Sequence, residues 1–546
     1  MLLCLWTGII SGLCSRLHSH LPKPRLPPNG PLEVSLRTGT FRGVSTGQGT
    51  EKWLGIPFAE PPVGPLRFKA PVSIKTIQFG GVRNASSFGN ACPQPYFDWL
   101  NAEIAEDCLF LNVWRPENTT ADAKLPVLFW IHSGGYINNA ASNGAYDPTF
   151  LIQRSAAINK PIIFVSANYR VNTFGFLASA SVPPEDLNAG LLDQRQALVF
   201  VRDHITAFGG DPSKVTLWGQ SAGAGSVQAH YIYPPAGRPL FRAGIADSST
   251  GPFKNSPAPS TYDKADKPFG RLLSATSCMP GSGALECLRN VPFKKLMDIS
   301  NSMIWGTMTL QLWEPTVAAG SMIPERASAR VARGDFLHLP YLSGTTLNEG
   351  TIYSAPVHGR KLSGAAEDAA FKAFITHTVI DSSPISPDLL AKFMKMFPAN
   401  DTSLGAPFNT GDSLFDRASA WYAAFMFMSP LRKFFKAGSP HQKMFAYSFR
   451  DGGGLPNGVA HGAELRYLFG PVAGADKDFA HRIRDFYLHF IHDLNPGAEW
   501  PAYNLDGKRQ VMQLKRDNIT MIPDDWDLEK TDFLSSQEIS DQFERR

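Results

Sequence analysis

A chain of 546 residues, 43% of them hydrophobic, is long enough to bury a large core. Its 52 Lys and Arg nearly balance 48 Asp and Glu, a formal charge of +4 without runs of like charge, which argues against nucleic acid or an anionic membrane as a partner. With 47 Gly and 43 Pro the chain is rich in loops, and no fixed-period repeat is visible, which excludes solenoids.

The apolar run Leu2–Leu13 has the length of a signal peptide and is too short to span a bilayer. Small residues at Gly12 and Cys14 suit cleavage after Cys14, although no Lys or Arg precedes the run. Residues 1–14 are therefore read as a secretory signal and 15–32 as a Pro-rich leader, with 33–546 forming a single domain that carries no later membrane anchor. The expected location is extracellular.

The segment GTFRGVSTGQGTEKWLGIPF follows, and it holds a G-x-S-x-G match centred on Ser45. Its residues alternate and then turn, so it reads as a glycine-rich hairpin with no helix behind the serine. After removal of Cys4 and Cys14, four cysteines remain: Cys92, Cys108, Cys278 and Cys287. They allow three pairings, of which Cys92–Cys108 with Cys278–Cys287 closes two short loops; an even count fits an oxidising compartment. Sequons at Asn84, Asn118, Asn400 and Asn518 point the same way.

Short apolar runs buried on both faces mark the strands of an α/β sheet. They are PVLFWIH at 126–132, PIIFVS at 161–166, KVTLW at 214–218, LPYLS at 339–343 and MFAYSF at 444–449. Each of four such runs opens into a loop with chemical potential. The first leads to Ser133-Gly134-Gly135, where consecutive glycines let backbone N–H groups turn toward an acyl oxygen. The third leads to Gly219-Gln220-Ser221-Ala222-Gly223 and then to small residues that suit a tightly packed helix. That strand–turn–helix context is what a nucleophile elbow requires, and it distinguishes Ser221 from Ser45. The fourth opens into GTTLNEGTIY with Glu349, and the fifth into DGGGLPNGVAHGAEL with His461. His481, His489 and His492 instead share a segment of helical period, DFAHRIRDFYLHFIHDL.

A serine hydroxyl needs a base to take its proton, an acid to orient the base, and donors for the oxyanion. Ser221, Glu349 and His461 occur in the order nucleophile, acid, base, with Gly134, Gly135 and Ala222 as candidate oxyanion donors.

Taken together these stretches resemble the type-B carboxylesterase family, the cholinesterase-like branch of the α/β hydrolases, and in particular its secreted fungal members. The resemblance runs through LGIPFAEPPVGPLRF, EDCLFLNVWRP, WIHSGGY, NYRVNTFGFL, the long stretch ending GQSAGAGS, GTTLNEGTIY, HGAELRYLFG and WPAY, nearly the whole mature chain. It implies an α/β-hydrolase fold: a mostly parallel central sheet, helices on both faces, and long insertions. It implies the roles given above for the six site residues and the two local disulfides. It also places Ser248 loosely on a serine that braces the acid. The implied activity is hydrolysis of small-molecule carboxylic esters through an acyl-enzyme, without metal or organic cofactor; it does not fix an oligomeric state.

Three positions depart from the family pattern. Ser133 replaces the first of three glycines, Asn348 precedes the acid where Asp is usual, and Gln220 precedes the nucleophile where Glu is usual. A carboxylate at 220 would favour the charged form of the base and attract cations, and glutamine removes it. The loop between Cys92 and Cys108 is short for a lipase lid, which favours a carboxylesterase over a lipase. A tailoring esterase of a biosynthetic pathway is a further alternative. Non-catalytic adhesion or storage relatives typically lack a triad member, whereas this chain keeps all three. Trp99 lies one residue off the spacing at which cholinesterases place a choline-stacking tryptophan.

Overall fold

The computed structural model describes residues 32–74, 80–250, 256–308, 311–505 and 509–544. The segments assigned above to a signal and a leader, 1–14 and 15–32, lie outside the described residues apart from Leu32.

Among the described residues eleven strands form one sheet: β1 (Val44–Ser45), β2 (Thr50–Pro57), β3 (Phe110–Pro116), β4 (Leu125–Ile131), β5 (Ile163–Ala167), β6 (Gly210–Gln220), β7 (Ala243–Asp247), β8 (Tyr341–Thr346), β9 (Met444–Phe449), β10 (Gln510–Leu514) and β11 (Thr520–Pro523). Their order across the sheet is β11-β10-β9-β8-β7-β6-β4-β5-β3-β2-β1. The seven from β10 to β5 run parallel, and antiparallel strands complete both edges. The crossovers between parallel strands carry the helices. A smaller three-stranded sheet pairs Glu33–Leu36, Gly39–Arg42 and Val82–Asn84.

The strand runs have no polar face because both faces are covered. Along β4, Val127, Phe129 and Ile131 enter one core and Leu128 and Trp130 the other, as the two-residue period requires. The first core takes the inner faces of helices Ala189–His204 and Ala222–Ile232. The second takes helix Asp476–Asp493, and stacks Trp218 of β6 on Phe469 with centroids 4.7 Å apart. Fully burying such side chains stabilises by roughly 1.5–3 kcal/mol each. A third cluster, including Phe374, Phe393, Trp421 and Phe425, holds the helices inserted between β8 and β9 together with the C-terminal helices Leu528–Leu534 and Gln537–Phe543.

Each expected strand is present; MFAYSF keeps its expected bounds, 444–449, and the other four have shifted ends. β6 begins at Gly210 rather than 214, because Gly210 pairs with Leu125 of the neighbouring strand ahead of a register shift. β8 begins at Tyr341 and extends to Thr346, since Thr345 and Thr346 pair with Ser448 and Phe449 of β9. Periodicity shows neither event. Ser45 lies in the hairpin of β1 and β2, where its hydroxyl donates to Glu117. His481, His489 and His492 sit half-buried on helix Asp476–Asp493. Among the described residues no helix is long and apolar enough to cross a membrane.

Candidate active site

In parallel α/β sheets, loops at the carboxyl ends of the strands converge on one edge. Here Ser221 follows β6, Glu349 follows β8, His461 lies on the loop after β9, and Gly134 and Gly135 follow β4.

Ser221 is the turn residue between β6 and helix Ala222–Ile232, with φ 58° and ψ −123°. A non-glycine residue in such a region costs on the order of 1–3 kcal/mol, so its surroundings must enforce it. They do so at close quarters. Ser221 N–H donates to the Asp247 carbonyl at 2.9 Å, and Gly225 N–H donates to the Ser221 carbonyl at 2.9 Å. A Cβ on Gly219 would lie 2.3 Å from the Gly223 carbonyl oxygen, and one on Gly223 would lie 2.1 Å from that of Ile131. The two glycines flanking Ser221 are therefore required by backbone packing between strand and helix.

His461 Nδ1 lies 2.5 Å from Glu349 Oε2. A carboxylate only accepts, so Nδ1 carries the hydrogen and Nε2 presents its lone pair. Nε2 in turn lies 3.0 Å from the Gln220 amide nitrogen, on the residue next to Ser221. Glu349 Oε1 accepts from the Ser248 hydroxyl and from Thr346 N–H, both at 2.6 Å. Ser248 thus occupies the bracing position that the resemblance placed only loosely. The ring of His461 is flanked by Tyr353, with centroids 5.5 Å apart, and Phe427, at 4.9 Å.

Behind Glu349 lies Asp247, fully buried and bonded by Trp218 Nε1 at 2.6 Å, Tyr487 at 2.7 Å and Tyr447 at 2.9 Å. Burial pushes its carboxyl up to about 6, against the lowering effect of those donors, and Glu349 adds repulsion. Burial also raises Glu464, three residues after His461, well above the usual carboxylate range. Tyr353 is raised by burial as well, so it is a neutral phenol at physiological pH.

The loop after β4 is shaped by Gly134 (φ 114°) and Gly135 (φ 61°). Among the described residues, the N–H groups of Gly134, Gly135 and Ala222 donate to no backbone carbonyl. Ser133 is built into the support of this loop: its hydroxyl lies 2.7 Å from the Tyr146 hydroxyl, and Asn139 Nδ2 donates to both at 3.2 and 2.7 Å.

Among the described residues two disulfides are present, Cys92–Cys108 and Cys278–Cys287. Asn84, Asn118, Asn400 and Asn518 are all exposed. Trp99 is partly exposed and stacks on Phe97 at 4.7 Å. The contacts of Gln220, Tyr353 and Asp247 with this cluster were not foreseen. Tyr353 stands in the same GTTLNEGTIY stretch as Glu349, which is the one signal in the chain that could have suggested it.

The sheet order and its helical covering define an α/β hydrolase. The comparisons then specify which kind. A family model described as the carboxylesterase family matches residues 30–533, and the chain belongs to that family. It is 32% identical over 508 residues to "Secreted lipase 1" of Botryotinia fuckeliana, covering 84% of this chain and 85% of that one. It is 32% identical to "Lipase 2" of Geotrichum candidum (93% and 94% covered) and 29% identical to "Secreted triacylglycerol lipase LIP1" of Gibberella zeae (92% and 90%). The crystal structure of Aspergillus niger EstA superposes with a TM-score of 0.80 at 27% identity, covering 95% of this chain and all of that one. The protein is a carboxylic ester hydrolase.

Proposed function

We propose that this chain is a secreted serine carboxylesterase in which His461, oriented by Glu349, removes the proton of Ser221. The observation that carries this reading is the 2.5 Å contact of His461 Nδ1 with Glu349 Oε2, which leaves Nε2 as the basic nitrogen beside the elbow. Ser221 Oγ attacks the ester carbonyl as its proton passes to Nε2. The N–H groups of Gly134, Gly135 and Ala222 receive the developing oxyanion. The protonated His461 gives its proton to the leaving alcohol, and water then attacks the acyl-enzyme with the same base. Glu349 stabilises the charged ring in both steps. Secretion is supported by the apolar N-terminal run, the two disulfides, the exposed sequons and the names of two relatives.

Lipase action is a second reading. It is favoured by the relatives' names and by a cluster of exposed aromatics, Tyr96, Trp99 and Trp305, with Phe97 packed between Trp99 and Trp305. The test has two parts. A fluorophosphonate should label Ser221, and labelling elsewhere or nowhere overturns the mechanism. Rates on soluble short-chain esters should then exceed those on emulsified long-chain triacylglycerols; the reverse order selects the lipase.

A further inference from the structure

Gln220, the last residue of β6, is 2% exposed, and its amide nitrogen lies 3.0 Å from His461 Nε2. With the ring hydrogen on Nδ1, the amide nitrogen is the donor and Nε2 the acceptor. The occupied lone pair is the one that the mechanism above reserves for the proton of Ser221. The amide is also seated by the loop that carries the base. Gly462 has φ +81°, and a Cβ there would come within 3.4 Å of Gln220 Nε2 and 3.8 Å of its Cδ.

The other groups around the ring are accounted for. Glu349 holds Nδ1 from the loop after β8, and Tyr353 from the same loop is a neutral phenol beside the ring. Phe427 is apolar. Of the more distant acids, Asp247 is tied down by Trp218, Tyr447 and Tyr487, and burial raises Glu464 on the base's own loop well above the usual carboxylate range. Among the described residues, the hydrogen bond at the Nε2 end is with Gln220.

We propose that Gln220 is a positioning residue that serves both protonation states of His461 without a charge. Its amide nitrogen donates to Nε2 of the neutral ring. When the Ser221 O–H bond breaks and the Nε2–H bond forms, half a turn of the amide presents its Oε1 to the new N–H. Glutamate can only accept and carries a charge, and so it favours the imidazolium; methionine, of similar size, can do neither. The proposal rests on the assignment of His461 as the base.

The experiment is the pH profile of kcat/KM on a soluble neutral ester for wild type, Gln220→Met and Gln220→Glu at fixed ionic strength. Gln220→Met loses both the donor to the neutral ring and the acceptor of the imidazolium, and the charge-assisted bond is the stronger of the two. The acid limb should therefore move to lower pH in Gln220→Met, and to higher pH by at least about one unit in Gln220→Glu, where an opposite charge is added. The plateau of Gln220→Met should fall several-fold, because the imidazolium then lacks its acceptor. The downfield proton resonance of His461 Nδ1–H, followed in unliganded enzyme, should titrate with the same ordering and is independent of turnover. If Gln220→Met keeps the wild-type limb, plateau and titration, Gln220 is only filling space and the proposal fails. Fluorophosphonate labelling of Ser221 in the same samples separates that result from failure of the triad assignment itself.

Discussion

Asn348 Oδ1 accepts the N–H of Val459 at 3.0 Å, joining the loop of Glu349 to the loop of His461. The link is reinforced by Asn348 N–H to the Val459 carbonyl at 3.0 Å. Gly458 makes room for it, since a Cβ there would lie 2.3 Å from Asn348 Oδ1. The Asn348 side chain thus sets the spacing of Glu349 and His461, a role unrelated to its charge. Asn348→Ala should leave the buried Val459 N–H unsatisfied, costing about 1–3 kcal/mol, and lower kcat with it. Asn348→Asp retains an acceptor and should stay close to wild type in both. Thermal melts and steady-state kinetics check this; an alanine variant equal to wild type shows that the loops are held elsewhere.

The two G-x-S-x-G serines should separate cleanly. Ser221→Ala should lose at least about 10³-fold in kcat while melting like wild type. Ser45→Ala removes a surface hydroxyl bonded to Glu117 and should leave kcat within error. An inactive Ser45→Ala beside an active Ser221→Ala refutes the assignment of the elbow.

The disulfides should differ in what they protect. Closing loops of this size stabilises by roughly 3 kcal/mol each in the chain-entropy description, less any native strain. Cys92–Cys108 also anchors Gln94, whose amide exchanges hydrogen bonds with the Asn139 backbone at 2.6 and 2.9 Å. Asn139 supports the loop of Gly134 and Gly135 through Ser133. Replacing both Cys92 and Cys108 by Ser should therefore reduce kcat as well as stability. Near Cys278–Cys287, Arg67 grips the carbonyls of Leu288, Arg289 and Val291, so the second double variant should lose stability alone. Equal effects of both pairs on kcat contradict this.

Glu544, at the C-terminal end of helix Gln537–Phe543, is pushed up by burial to about 7, although Lys433, Ser328 and Arg326 lower it. A carboxyl raised in the folded state binds its proton more tightly there than in the unfolded chain. Its contribution to stability is full below the unfolded value of about 4.5 and is lost as pH rises through about 7. Glu544→Gln stays neutral and should remove that fall, on the order of 1–3 kcal/mol, between pH 4.5 and 7. Denaturant midpoints of the two proteins across this window give the difference; parallel curves show that Glu544 does not titrate there.

The sequence by itself determined much of this molecule. Apolar runs without a polar face, such as PVLFWIH, specify strands covered on both sides, because a two-residue period sends alternate side chains into two cores. Glycines at 219 and 223 mark an elbow because no Cβ fits there, and that constraint is local enough to read from the chain. Strand-end loops in the order of Ser221, Glu349 and His461 indicate which side chains converge. What only the tertiary structure decided is how the converging groups are held. The Gln220 contact with His461 spans 241 positions of sequence, and Ser248 reaches Glu349 across 101. Tyr447 and Tyr487 meet Asp247 from a strand two places away in the sheet and a helix much later in the chain. Hydrogen bonds of this kind depend on side-chain direction and on distances of a few tenths of an ångström. Residue type and spacing set neither; the packing of sheet, helices and loops against one another does.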